Sequence, residues 1–115
     1  MKIILHIDEA SGWKKGLRNA ENLMAAKQTT HPDLEVEIVA NGQAVRDILK
    51  TTATAEYQSA FTSLHKQGVR FCACHHSLER IHVRDEAVLD CFDIVPAGVI
   101  EIAEREQEGY SYIKP

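Results

Sequence analysis

Apolar residues recur along this chain in two ways: as short runs typical of strands and as longer stretches with a helical period. The opening run, residues 2–8, is nearly all aliphatic, as in a central parallel strand that is covered on both faces. Glu35–Ala40 alternates between polar and apolar positions, which predicts a second strand that stops at Asn41 and Gly42. Three further strands are predicted at 69–74, 92–95 and 110–113.

Between the strands, apolar residues recur at helical spacing. The first such stretch follows a break at Ser11 and Gly12 and has its apolar face at Trp13, Leu17, Ala20 and Met24. Further helices or helical turns are predicted over 43–49, 54–67, 75–81, 85–90 and 99–108. Strands that alternate with helices predict right-handed crossovers and a mostly parallel sheet of about five strands. The expected fold is a small flavodoxin-like three-layer α/β sandwich, formed by residues 1–115 as a single domain.

Composition excludes several classes of protein. The chain has 115 residues, of which 44% are hydrophobic and 26% charged, as in an ordinary globular domain. Its 13 basic and 17 acidic residues give a net charge of -4 with no basic stripe, so nucleic acid is not an expected partner. No apolar run is long enough for a signal peptide core or a membrane span, and three cysteines suit a reducing compartment. A cytoplasmic location is expected.

In open parallel sheets, ligands bind outside the carboxyl ends of the strands. The candidate site residues at or just beyond those ends are His6, Asn41, Gly42, Cys74, His75, His76, Pro96 and Gly98. Asn22 is added because it shares one side of the first helix with Asn19 and could hydrogen-bond a neighbouring loop or a ligand. Cys74 is the only nucleophile in this set.

Cys74 ends an apolar run and precedes a predicted helical turn. Unpaired backbone N–H groups and the helix dipole favour a thiolate at such a position, and His75 or His76 could assist it. The alternative is that Cys74 is a small buried hydrophobe that finishes a strand. Cys72 and Cys91 are interpreted as core or near-surface thiols.

The sequence contains possible metal ligands but no nucleotide-binding motif. Cys72, Cys74, His75 and His76 form a compact set of possible metal ligands. Successive strand side chains alternate in direction, however, and no second ligand pair with recognisable spacing occurs, so metal binding is kept as a third hypothesis and no metal ligand is assigned. The chain contains neither GxGxxG nor GxxxxGK[ST], so the corresponding nucleotide cradles are absent and no cofactor is expected.

Several stretches in order resemble one known family over almost the whole chain. They are the opening strand with His6, then Asn19 and Asn22, then residues 37–42, 68–74, 94–98 and 107–115. In this order and spacing the sequence resembles the DsrE/DsrF-like family, small α/β proteins linked to intracellular sulfur oxidation and sulfur relay.

The resemblance implies a role for one cysteine. The sulfur-carrying cysteine of the family corresponds by position to Cys74, which would accept sulfane sulfur as a persulfide and pass it to a partner. The resemblance also implies a homo-oligomer, a trimer or hexamer, with sulfur donor and acceptor proteins as partners. The leading hypothesis is therefore a sulfurtransferase-like relay protein. The rival hypothesis is a non-catalytic oligomeric protein that binds a small ligand in a pocket lined by Cys74.

Overall fold

The computed structural model describes residues 1–115 and contains five strands and four α-helices. The strands are β1 Lys2–Ile7, β2 Glu35–Ala40, β3 Arg70–Cys74, β4 Phe92–Val95 and β5 Tyr110–Ile113. The helices are α1 Gly12–Thr29, α2 Ala55–Lys66, α3 His75–Arg80 and α4 Gly98–Gln107. Two 3-10 turns, Gly42–Asp47 and Asp85–Ala87, lie in the connections.

The predicted elements all occur, and two of them differ in kind. The helices expected over 43–49 and 85–90 are 3-10 turns over 42–47 and 85–87. The second turn ends early because Val88 pairs with Leu49 in an isolated antiparallel bridge. A residue that commits its backbone to a bridge cannot also continue a helix.

All five strands are parallel, and their order across the sheet is β4-β3-β2-β1-β5. The expected three-layer α/β sandwich is confirmed, but this order differs from the 2-1-3-4-5 order of flavodoxin itself. The chain steps in one direction from β1 to β4 and then returns across the sheet to β5. Right-handed crossovers place connections that run in opposite directions on opposite faces of a sheet. The first three crossovers therefore share one face, and α4 lies alone on the other.

The two faces differ in their cores. Under α1, α2 and α3, 23 buried residues form one cluster, with Phe61 at the centre of an aromatic group. Its ring centroid lies 5.2 Å from that of Trp13, 5.5 Å from Phe71 and 5.1 Å from Phe92. Under α4 the apolar cluster has only five residues: Ile4, Val39, Cys72, Val95 and Ile102. No helix combines the length and apolar composition needed to cross a membrane.

The reversal of chain direction marks one place on the sheet, at the carboxyl ends of β3 and β4, where neighbouring strands lead to opposite faces; this place is called the crevice below. β3 continues into α3 on one face, whereas its neighbour β4 continues into α4 on the other. Connections that diverge from neighbouring strands leave a space outside their carboxyl ends, where ligands of open α/β sheets bind. Here Cys74, which ends β3, and Gly98, which begins α4, meet at that position, and the Gly98 N–H contacts the Cys74 thiol.

Candidate functional site

The Cys74 thiol lies in this crevice and is surrounded by hydrogen-bond donors. Burial raises the pKa of the thiol, since Cys74 is only 5% exposed. The Ser77 hydroxyl and the backbone N–H groups of Gly98, Ser77 and His76 act in the opposite direction. Their combined effect is larger, and the pKa of Cys74 is lowered from its ordinary value. The arrangement therefore stabilises a thiolate.

The backbone at Gly42 directs the Ser77 hydroxyl towards this thiol. The Gly42 N–H donates to Ser77 Oγ at 2.8 Å, so the hydroxyl proton remains available for the Cys74 sulfur. Gly42 itself has a φ of +56°, and a Cβ at this position would lie 2.9 Å from the Asp8 carbonyl oxygen. Only glycine fits this approach without a shift of the chain. Gly42 thus acts through its N–H and its lack of a side chain.

The imidazole rings of the two histidines after Cys74 lie close to carboxylates. His75 Nδ1 lies 2.8 Å from Asp85 Oδ1, and this contact raises the pKa of His75. His75 Nε2 lies 3.7 Å from Glu79, and His76 Nδ1 lies 3.6 Å from the other oxygen of the same carboxylate. The sequence-based expectation that an imidazole assists the thiol is therefore not supported by these contacts. Of the two residues, His76 contributes its backbone N–H.

A series of hydrogen bonds that links Tyr112, His6 and Asn41 reaches the crevice from the neighbouring strands. His6 Nε2 lies 2.7 Å from Asn41 Oδ1, and His6 Nδ1 lies 2.7 Å from the Tyr112 hydroxyl. Asn41 packs against Gly98, where an added Cβ would lie 3.2 Å from Asn41 Cβ and 3.4 Å from its Nδ2. His6, Asn41 and Gly98 are thus brought together beside Cys74, as the carboxyl ends of parallel strands require.

The remaining candidates lie farther out. Pro96 is exposed in the connection from β4 to α4. Asn22 is exposed on α1, where it lines a shallow cavity with Leu5 and Ile113 on the sheet face opposite α4. The structure therefore does not bring Asn22 to the crevice. Its position on the first helix could not reveal which face of the sheet that helix covers.

Buried charges surround Cys72, two residues before Cys74. The Cys72 thiol donates to Glu37 Oε2 at 3.7 Å, and Glu37 is 2% exposed. Burial, then the neighbouring Glu101 carboxyl, raises the pKa of Glu37 to about 8. Burial and the Glu37 carboxyl raise the pKa of the Cys72 thiol. Cys72 is therefore held as a neutral thiol.

Two arginines neutralise this buried group. Arg70 Nη1 lies 3.2 Å from Glu37 and 3.1 Å from Glu101, while Arg105 Nε lies 2.9 Å from Glu101 and 3.4 Å from Glu37. Glu37, Cys72 and Glu101 offer ligand atoms within 4.8 Å of one another. A cation there would meet two guanidinium groups that already pair with both carboxylates, so the donor set suits an ion-pair network better than a metal.

The four residues weighed as metal ligands in the sequence are separated in the structure. Cys72 contacts Glu37 under α4, Cys74 faces its N–H donors, and His75 contacts Asp85. Sequence reasoning placed Ser77 at the strand end beside Cys74 without giving it a role, and did not select Asp85, Tyr112, Glu37 or Glu101. For Glu37 a signal existed, because a carboxylate inside a strand that pairs with Arg70 of the next strand predicts an ion pair.

The fold and crevice define a small parallel α/β protein with a cysteine of lowered pKa at the end of its third strand. The model of the DsrE/DsrF-like family matches residues 1–115, and the chain belongs to this family. Comparison with curated proteins gives no match.

Solved structures show the same fold. A protein of unknown function, MTH1491 from Methanobacterium thermoautotrophicum, is 33% identical with a TM-score of 0.86, over 99% of this chain and 98% of that one. The ychN protein from E. coli is 16% identical with a TM-score of 0.74, over the full length of both chains. BT1422 from Bacteroides thetaiotaomicron, also of unknown function, is 13% identical with a TM-score of 0.74, over 99% of this chain and 94% of that one.

Proposed function

We propose that this protein is a cytoplasmic sulfur-relay protein that carries sulfane sulfur as a persulfide on Cys74. The Cys74 thiolate attacks the terminal sulfur of a donor persulfide, a new S–S bond forms, and the donor S–S bond breaks. The electron pair of the broken bond leaves with the donor as its thiolate. A thiol of the acceptor then takes the sulfur from Cys74 by the same exchange. Sulfane sulfur changes place without any external oxidant or reductant.

The observation that carries this proposal is the donor set around the Cys74 sulfur. A thiolate is the nucleophile in sulfur exchange, and a lowered pKa raises the thiolate fraction near neutral pH. The hydroxyl of Ser77 and the N–H of Gly98 come from different segments of the chain, so the site depends on the whole crevice. A cysteine that served only as core packing would not need these donors.

The surroundings of the thiol also indicate how a partner approaches. Cys74 is 5% exposed, whereas Val99 and Ile100 in the first turn of α4 are 64% and 59% exposed. These two apolar side chains follow directly after Gly98, which contacts the thiol. An acceptor protein that covered them would place its own thiol close to the crevice, since exposed apolar side chains favour association.

The test is sulfur loading with a cysteine desulfurase and cysteine. We expect the intact mass to rise by one sulfur atom, and peptide mapping to place that sulfur on Cys74. Cys74→Ser should abolish loading, whereas Cys91→Ser, which changes a half-buried thiol elsewhere, should load like the wild type. Equal loading of the two variants would contradict the assignment.

A second candidate function is a non-catalytic protein that binds a small ligand in the crevice. The low exposure of Cys74 favours it, because a thiol that merely lines a pocket need not be reached by a partner. A measured pKa of Cys74 near the ordinary value, with no sulfur loading, would support this candidate. A lowered pKa with loading supports the relay.

We also propose that the protein forms a homo-oligomer, a trimer or hexamer, in which further copies cover exposed apolar residues. Besides the two on α4, Met1, Tyr112 and Ile113 are exposed large apolar side chains. Measurement of the molecular mass in solution tests this, and a monomer at micromolar concentration would contradict it.

A further inference from the structure

The Asn41 carboxamide has one end fixed and the other end free. Its Oδ1 lies 2.7 Å from His6 Nε2, whereas its Nδ2 donates to no protein atom. The free Nδ2 lies against Gly98, 3.4 Å from the position that a Cβ there would occupy. The N–H of Gly98 contacts the Cys74 thiol. An unused pair of N–H donors is thus held at the edge of the sulfur site.

Sulfur loading moves the negative charge from one sulfur atom to another. In the free thiolate the charge lies on Cys74 Sγ, which the Ser77 hydroxyl and the backbone N–H groups contact. In a persulfide anion the charge lies on the terminal sulfur, about 2 Å farther along the new S–S bond. Donors that contact Sγ cannot all follow it. The loaded form requires an additional donor beyond them, and Asn41 Nδ2 is a free one beside Gly98.

We propose that Asn41 binds the terminal sulfur of the Cys74 persulfide, and that Tyr112 and His6 position its carboxamide. This inference rests on the proposed function and extends it to the loaded state of the same site. Asn41 is the binding residue, because its Nδ2 donates to the charged sulfur. Tyr112 and His6 act only through Asn41.

The orientation of the Asn41 carboxamide follows from the hydrogen bonds that link Tyr112, His6 and Asn41. The Asn41 Oδ1 atom can only accept, so His6 Nε2 carries a proton and donates to it, while the Tyr112 hydroxyl, 2.7 Å from His6 Nδ1, holds the other side of the ring. The bond from His6 Nε2 keeps the oxygen of the carboxamide on the His6 side. Without it the carboxamide can turn and present its oxygen to the anionic sulfur, which repels it. Networks of this kind fix orientation more than they add contacts.

The test measures how long the persulfide survives. Protein loaded with inorganic polysulfide is mixed with a small thiol, and loss of the added sulfur is followed by intact mass. We expect Asn41→Leu to shorten the lifetime about tenfold, since a hydrogen bond to a charged group is lost. Asn41→Asp keeps the shape of the side chain but presents only oxygens, and should shorten it at least as much.

Two matched pairs test the positioning residues. His6→Leu should resemble Asn41→Leu, whereas His6→Gln, which retains an N–H donor for Asn41, should recover most of the lifetime. Tyr112→Phe should shorten the persulfide lifetime about threefold, because it removes the hydrogen bond to His6 Nδ1 but leaves the one from His6 Nε2 to Asn41. Tyr57→Phe, which removes a hydroxyl from α2 on the opposite sheet face, should have no effect.

The outcomes separate the two proposals. Wild-type protein that takes up no sulfur from polysulfide would overturn the relay function and this inference together. A loaded protein whose lifetime is unchanged in both Asn41 variants would overturn the inference and leave the relay in place. Equal impairment by His6→Leu and His6→Gln would show that His6 merely fills space, and would overturn its positioning role.

Discussion

Cys72 and Cys74 lie two residues apart on β3 and face the same side of the sheet, yet their surroundings drive their pKa values in opposite directions. Cys72 lies inside the strand, where its backbone neighbours bond to each other in the sheet and the nearest polar group is a carboxyl. Cys74 lies where the strand ends, and there N–H groups from two helix starts are free to meet it. The reactivity of these thiols is therefore decided by their distance from the strand end.

The same contrast holds for the two regions around these cysteines. The middle of the sheet under α4 contains buried ionisable groups whose polar atoms are all paired: a protonated Glu37 and a charged Glu101, both in contact with Arg70 and Arg105. The crevice at the strand ends contains donors directed at one sulfur. The first region favours the protonated forms of Glu37 and Cys72, and the second favours a charged thiol.

The largest effect is expected on the free energy of unfolding, when a change of pH titrates Glu37 in the middle of the sheet. Native Glu37 retains its proton up to about pH 8, whereas the unfolded chain releases it near the ordinary value of 4.5. The native state thus holds more protons between these values, so stability falls as pH rises, by up to about 1.4 kcal/mol per pH unit. Urea unfolding of the wild type between pH 5 and 8 measures this decline.

Glu37→Gln sharpens the same test. The amide resembles the protonated carboxyl but cannot titrate, so most of the decline should disappear in this variant while stability at pH 5 changes little; the part that remains comes from His75, whose pKa is also raised. Glu35→Gln, on an exposed residue of the same strand, should retain the wild-type decline. A wild-type stability that rises across this pH window would contradict the assignment of a neutral Glu37.

A smaller effect, about a hundredfold in rate, is expected between the two thiols themselves. At pH 7.5 an alkylating reagent should modify Cys74 at least this much faster than Cys72, because alkylation proceeds through the thiolate and one pKa unit is a factor of ten in its abundance. Peptide mass spectrometry against time measures both rates in one sample. Faster modification of Cys72 would reverse the comparison.

The smallest expected effect concerns one donor of the sulfur site. Ser77→Ala removes the hydroxyl that contacts Cys74, and should raise the pKa of the thiol and slow its alkylation at neutral pH about tenfold. The alkylation rate as a function of pH gives this pKa. Ser59→Ala, on the exposed side of α2, is the control and should leave the profile unchanged. An unchanged profile in Ser77→Ala would mean that the backbone N–H groups alone hold the thiolate.

The strands could be predicted closely because their patterns are local. The bounds of β2, β4 and β5 in the structure are those predicted from alternation and flanking turns. The predicted β1 is one residue longer at its end than the observed strand, and the predicted β3 is one residue longer at its start. The strand order is not local, because it depends on which way each crossover turns. This is why the layered sandwich was predictable but the departure from the flavodoxin order was not.

The site was predictable as far as it depends on strand ends. Cys74, Asn41 and Gly98 meet because parallel strands bring their carboxyl ends to one edge. The sequence suggested that His75 or His76 assists the thiol, whereas the Ser77 hydroxyl contacts it. The direction of a side chain in a first helical turn depends on contacts such as that of His75 with Asp85, which no spacing reveals. Tyr112 was missed because its proximity to His6 requires β5 to lie beside β1.

The pairing of β5 with β1 has a consequence for the order in which the protein matures during synthesis. His6 and Tyr112 are 106 residues apart in the chain, and the link between Asp8 and Lys114 spans the same separation. A ribosome releases β1, β2 and β3 with Cys74 well before it releases β5. The nascent chain therefore contains the cysteine before the residues that orient Asn41 exist, and the site becomes complete only when its last strand docks beside its first.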